Sequence, residues 1–255
     1  MKKTVFLAFL VFILTFTSCD DFFSSSWGTS REYDPSNINV NAGNVDQWIK
    51  TAVGNPALAE AITEKIIQEL ENASGPDKVV LMQAGIKLAV ESSGLGILIL
   101  INAADLLGNF DKNDTETLTD ILDKIQDGFN SGGGPNAANN LATIACSGII
   151  IDNDGVPVFE PEFANSVSPG DVAEAIMVLV LGELSSGSIE DWSELGSYGL
   201  SNDGTDENPK ITVDPDATPG QIALAAYLNL IADSNNSAFN NNSLTQTIRE
   251  AFFGF

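Results

Sequence analysis

Apolar residues recur at helical spacing along most of this chain. From Pro56 to Glu71, residues Leu58, Ile62, Ile66 and Leu70 lie four apart and draw one stripe down a helix. Pro56 suits the first turn of that helix. A break at Ser74-Gly75-Pro76 leads into a second helix over Asp77–Glu91, carrying Val80, Leu81, Ala84 and Leu88, with Gly85 as a small contact residue. A shorter helix over Val45–Ala52 precedes both. Gly94–Leu107 is apolar almost throughout but too short to cross a bilayer, so it reads as a buried helix. Asp114–Phe129 is amphipathic again through Leu118, Ile121, Leu122, Ile125 and Phe129, and Ser131-Gly132-Gly133-Gly134-Pro135 ends it.

The second half continues in the same way. Asn136–Cys146 is rich in small residues. Ile149–Asp152 and Val156–Phe159 are β-type runs about Asn153-Asp154-Gly155, which predicts a short hairpin near 149–159. Pro169–Leu184 reads as a core helix, Ser188–Tyr198 as a weaker one, and Pro219–Asp233 as another small-residue helix. Leu200–Thr218 reads as an acidic loop, extended at most over Lys210–Asp214, and Leu244–Phe253 closes the chain. Pro76, Pro135, Pro169 and Pro219 each open a helix rich in Ala and Leu, with amphipathic helices between several of them. Neither member of such a pair buries its face alone. The pattern therefore predicts an all-α fold of stacked antiparallel helical hairpins, either an irregular α-solenoid or a bundle, with one small β-hairpin. In architecture it resembles helical-repeat proteins of the tetratricopeptide type, without a fixed period.

The N-terminus follows a different pattern. Lys2 and Lys3 precede an uncharged apolar run, Thr4–Thr17, in the order of a secretory signal segment. Phe16-Thr17-Ser18-Cys19 comes next. Small residues before a cysteine at the end of the apolar run resemble the lipobox of bacterial lipoproteins, with Phe16 where that pattern most often has leucine. The resemblance covers Met1–Cys19. It implies cleavage by signal peptidase II, a diacylglyceryl group on the Cys19 thiol and an acylated new N-terminus. Residues 1–18 are then a signal peptide, 19–44 a lipidated N-terminus and tether, and 45–255 the helical domain. Asp20–Asn44, rich in Ser, Asp, Asn and Gly, has the composition of such a tether. Its Phe22, Phe23 and Trp27 suit either the membrane interface or a seat on the folded body. Multiple acyl chains give stable attachment to a membrane, on the periplasmic face or the cell surface.

Composition narrows the function classes. The 255 residues include 11 Lys+Arg against 35 Asp+Glu, a net charge of −24, and no histidine. That charge opposes nucleic-acid binding and attachment to anionic lipid through basic patches. The lack of histidine excludes Ser-His-Asp and Cys-His catalysis. Of 2 cysteines, lipidation of Cys19 leaves Cys146 alone, so no disulfide holds the exported domain together.

Nothing in the candidate chemistry specifies a catalyst. Asp152-Asn153-Asp154-Gly155 has the look of a calcium loop, but placing Gly155 sixth puts Ile150 first and Pro161 twelfth, and the motif fails. Asp203–Glu207 and Asp214-Pro215-Asp216 are acidic without ligand spacing. No S-x-x-K, G-x-S-x-G or phosphate-loop motif is present. Trp48 and Trp192 suit either a binding groove or a seam between helices. Asn102, Asp105, Glu174 and Glu183 stand among apolar neighbours, at the rim of an internal cavity or at the margins of helix faces. The expectation is a non-enzymatic envelope lipoprotein, anchored at Cys19, that offers a helical scaffold to a protein or peptide partner. The alternative is a solute- or lipid-binding accessory of a transport system, holding a small hydrophobic ligand. No cofactor or metal is implied.

Overall fold

A computed structural model describes residues 38–96, 115–187, 200–202, 210–233 and parts of 236–249. Cys19 and the lipobox, most of the predicted Gly94–Leu107 helix, and the Ser188–Tyr198 helix lie outside these residues. The described chain is mostly helical, in the order α1 (Val45–Ala52), α2 (Pro56–Leu70), α3 (Gly75–Ser92), α4 (Thr115–Ser131) and α5 (Gly134–Ser147). There follow a hairpin β1 (Ile149–Ile151) and β2 (Pro157–Phe159), α6 (Pro161–Ala164), α7 (Pro169–Ser185), a second hairpin β3 (Leu200–Asn202) and β4 (Ile211–Val213), α8 (Pro219–Ala232) and α9 (Ser237–Asn240).

The helices begin where local chemistry starts them. Proline occupies the first turn of α2, α3, α5, α6, α7 and α8, where its missing N–H is not needed. Side chains cap several of these ends: Asn55 Oδ1 accepts from Leu58 N at 3.1 Å and Ser168 Oγ from Asp171 N at 3.1 Å. At α8, Thr218 and Gln221 form a reciprocal capping box.

The helices gather around α5. This helix packs against α2, α3, α4, α7 and α8, so the arrangement is a bundle, whereas in a solenoid each repeat meets only its sequence neighbours. Small residues make the central position possible. Ala137, Ala138, Ala142 and Ala145 of α5 are buried. Toward one end of α5, Gly182 of α7 lies directly against the Ala138 methyl. Toward the other, the place a Gly85 Cβ would take in α3 is 2.8 Å from Ile144 Cδ1 and 3.1 Å from Ile66 Cγ2. The core also takes in most of α7 and α8, whose buried residues are nearly all apolar, and the aromatic rings of Phe129, Phe163 and Tyr227. Of the predicted α4 stripe, Ile125 and Phe129 are buried.

Two features depart from the sequence reading. The packed body takes in chain ahead of Val45: Ile38 and Val40 are buried in the core, and Trp48 Nε1 donates to Asn39 O at 3.0 Å. The predicted tether therefore gives up its last residues to the fold. The hairpin near 149–159 is present, with Ile150 opposite Val158. A second hairpin joins it, pairing Leu200–Asn202 with Ile211–Val213, of which only the latter strand was expected. Asn229 of α8 holds the two hairpins side by side. Its amide donates to Pro157 O at 3.0 Å and Ile211 O at 2.9 Å, and its carbonyl accepts from Ile211 N at 2.8 Å.

The two glycine contacts should respond unequally to an added methyl group. Ala138 Cβ is fixed to its backbone and cannot turn aside, whereas Ile144 Cδ1 ends a rotatable side chain. Gly182→Ala should lower unfolding free energy by about 1–3 kcal/mol through overpacking. Gly85→Ala should stay within about 1 kcal/mol of the parent, because alanine's helix propensity offsets much of the crowding. Urea titrations of the two variants, followed by circular dichroism, test the order.

Candidate functional site

Three places on the molecule carry groups that local packing does not fully use. The first is the β1–β2 hairpin. Its turn is built by Asp152, whose Oδ1 accepts from Asp154 N and Val156 N, each at 2.9 Å. Gly155 takes the positive φ of 78° that the turn requires. The Asp152 carboxylate thus serves as a turn cap. Phe159 points inward and stacks on Phe163 and on Tyr227, with ring centroids 4.8 Å apart in both cases. Ile150 and Val158, cross-strand partners, project to the opposite face, 52% and 38% exposed. Ile151 is 49% exposed as well. Large apolar residues elsewhere in the described chain are mostly buried, so the exposed pair Ile150 and Val158 forms a distinct apolar patch on the outer face, while Ile151 is exposed on the other face of β1.

The second place is the seam between α3 and α7. Lys87 Nζ stands 3.8 Å from Asp171 Oδ2. One turn further along α3, Glu91 Oε1 accepts from Gly54 N at 2.7 Å, fastening the turn between α1 and α2. Glu174, one turn beyond Asp171, is half-buried in the same seam. Burial pushes its carboxyl up to about 7, the charges of Asp171 and Glu91 add to the rise, and Lys87 opposes it. The sequence reading named Glu174 but not its companions, because their meeting depends on how two helices pack.

The third place is the interior around Tyr227. Its hydroxyl is fully buried and has no hydrogen-bond partner among the described residues. Burial, then the charge of Asp171, then Cys146, push the phenol well above its ordinary range. Cys146 is itself half-buried, its Sγ 3.5 Å from Pro219 O. Burial pushes this thiol up to about 11, which makes it a poor nucleophile at neutral pH.

The remaining sequence candidates are spread apart. Glu183 is buried and its carboxyl lies against Gly220 in the first turn of α8, a favourable position for negative charge. Glu174 and Glu183 therefore occupy different sites and do not share a cavity rim. Trp48 packs on the core and anchors Asn39, the seam role. Asp214 and Asp216 are exposed. Cys19, Asn102, Asp105, Trp192 and Asp203–Glu207 lie outside the described residues. Among the described residues no cluster of three or more His, Cys, Asp or Glu side chains is placed to hold a metal ion, and no helix is long and apolar enough to cross a membrane. Asn229 escaped the sequence reading, although a lone amide among apolar neighbours in Ala225–Ala232 was a visible signal.

Two variants report on these sites. Because its folded pKa is raised, Glu174 keeps a proton where the unfolded chain, at 4.5, has lost it. Its contribution is fully present below pH 4.5 and is lost as pH rises through about 7. Glu174→Gln should flatten that decline, leaving the variant more stable than the parent by about 1–3 kcal/mol at pH 8 and little different at pH 4.5. Parallel denaturation series across that range measure the difference. Tyr227→Phe should stabilise the fold by about 1–2 kcal/mol, since it removes a buried donor that has no acceptor. A fall in melting temperature would show instead that the hydroxyl is bonded in solution.

No protein-family model matches this chain, and neither a curated protein nor a solved structure does, so its function is to be read from the residues just described.

Proposed function

We propose that this protein is a lipid-anchored lipoprotein of a bacterial envelope that works without catalysis, by binding another protein. The single observation that carries the binding role is the β1–β2 patch. Ile150 and Val158 lie side by side on its outer face, both exposed. The lipobox-like Phe16–Cys19 behind an apolar, lysine-led segment supports the anchor. Cutting before Cys19 removes two of the 11 basic residues and none of the acidic ones, which leaves an acylated body that anionic headgroups repel. Such a body stands off the bilayer on its N-terminal segment and presents its surfaces to neighbours. The raised Cys146 thiol and the absence of histidine both argue against nucleophilic catalysis.

Two measurements test the two halves of the proposal. The native chain should partition into the detergent phase of a phase-separating extract and carry acyl mass on Cys19, and Cys19→Ser should move it to the aqueous phase. A photo-crosslinking residue at Ile150 should yield a discrete protein adduct in intact cells. The same residue at exposed Glu69 of α2 should not. Equal labelling from both positions would remove the hairpin from the binding role.

A further inference from the structure

We infer that the free edge of β1 is a strand-addition site for an extended segment of another protein, one that alternates apolar and basic residues. This rests on the protein-binding reading above and names its mode and the partner's chemistry. Hydrogen bonds at the two ends of the hairpin set the phase of its ladder. Asp152 N donates to Val156 O at 3.1 Å, and Glu160 N donates to Gly148 O at 2.9 Å. In an antiparallel pair the bonded positions alternate, so Ile150 bonds across to Val158 while Ile149 and Ile151 turn their N–H and C=O groups away from β2. The sheet has two strands. Its β2 side is occupied, since Asn229 bonds Pro157 O and Ile211, and Val213 N donates to Gly155 O at 3.3 Å. Its β1 side bears no strand among the described residues. Folded proteins usually blunt such an edge with lysine, proline or a bulge, whereas β1 is Ile-Ile-Ile.

Charge selects the occupant. No Lys or Arg occurs between Lys124 and Lys210, while Asp152, Asp154, Glu160 and Glu162 surround the hairpin. Lys78 reaches Glu160 at 2.9 Å and is taken up in that pair. A second copy of this chain would bring a like charge of −24 and the same acidic rim, which opposes edge-to-edge self-pairing. A partner strand would exchange backbone hydrogen bonds with Ile149 and Ile151. It would lay an apolar side chain beside Ile150 and Val158 and set its basic residues toward Asp152 and Asp154.

The probe is a fluorescent peptide of alternating lysine and valine, offered to the detergent-solubilised full chain. Controls are the same peptide N-methylated at alternate residues, and its glutamate–valine counterpart. The lysine peptide should bind and slow amide exchange at Ile149 and Ile151, and alternate N-methylation should weaken it by about tenfold or more at equal charge. Ile151→Pro, which deletes an outward N–H that β2 does not use, should weaken binding similarly. Ile150→Thr, a milder change on the outer face, serves if the proline variant does not fold. Binding that ignores N-methylation, or that leaves both amides exchanging freely, would overturn strand addition. So would an absence of binding. If the Ile150 crosslink still yields a discrete protein adduct in cells, only the mode fails. If neither appears, the protein-binding reading falls with it.

Discussion

The close approach of helices to α5 is the constraint on which the rest of the structure depends. A helix surrounded by five others must be slender, and α5 achieves this with alanines on its buried faces. Interiors pack at crystal-like density, so each neighbour is positioned by the few atoms it meets. Gly182 lets α7 rest on Ala138, and Gly85 lets α3 receive Ile144. Once α3 and α7 are set against α5, their outer edges are set against each other. Lys87, Glu91, Asp171 and Glu174 then meet in one seam. The position of α8 follows as well. Its first turn lies between Cys146 of α5 and Glu183 of α7, and its Asn229 carries both hairpins. The interaction surface proposed at β1 is thus positioned, through Asn229 and Phe159, by the central helix.

Much of this was legible in the sequence because the signals are local. Proline at the first turn, a four-residue apolar stripe and Asn-Asp-Gly between β-type runs each act over a few residues, and α2, α3, α7, α8 and the first hairpin appear close to their expected bounds. What was missed depends on distant partners. β3 lacks apolar alternation and exists as a strand through pairing with β4 and through the Asn229 clamp on that strand. Ile38 and Val40 sit in a stretch whose composition reads as linker, yet the core closes over them. The seam is the clearest case. Nothing about Glu91 in isolation distinguishes it from the chain's other acids. Only the packing of α3 against α7 brings it near Glu174 and raises that carboxyl.

The acidic composition has a structural counterpart in how few charges are internal. The core is apolar apart from a handful of polar residues, and most of its polar groups are hydrogen-bonded. Among the described residues Glu183 is the buried acid, and it lies against a helix start, where backbone N–H groups favour it. The other described carboxylates lie mainly on the outside, where self-repulsion supports solubility and works against compactness. Tight packing around α5 has to outweigh that repulsion, and Cys146, the described cysteine, is free.

The bond from Trp48 to Asn39, with Ile38 and Val40 buried behind it, ties the first described residues to the folded body. If Cys19 carries lipid as proposed, the membrane and the first buried residue, Ile38, are joined by the chain between residues 19 and 38. At about 3.4 Å per residue, covalent geometry limits its reach to roughly 65 Å. Every binding event at the hairpin would then take place within a thin shell above the bilayer. There, two molecules held on the same sheet of lipid meet at a far higher effective concentration than they would in free solution.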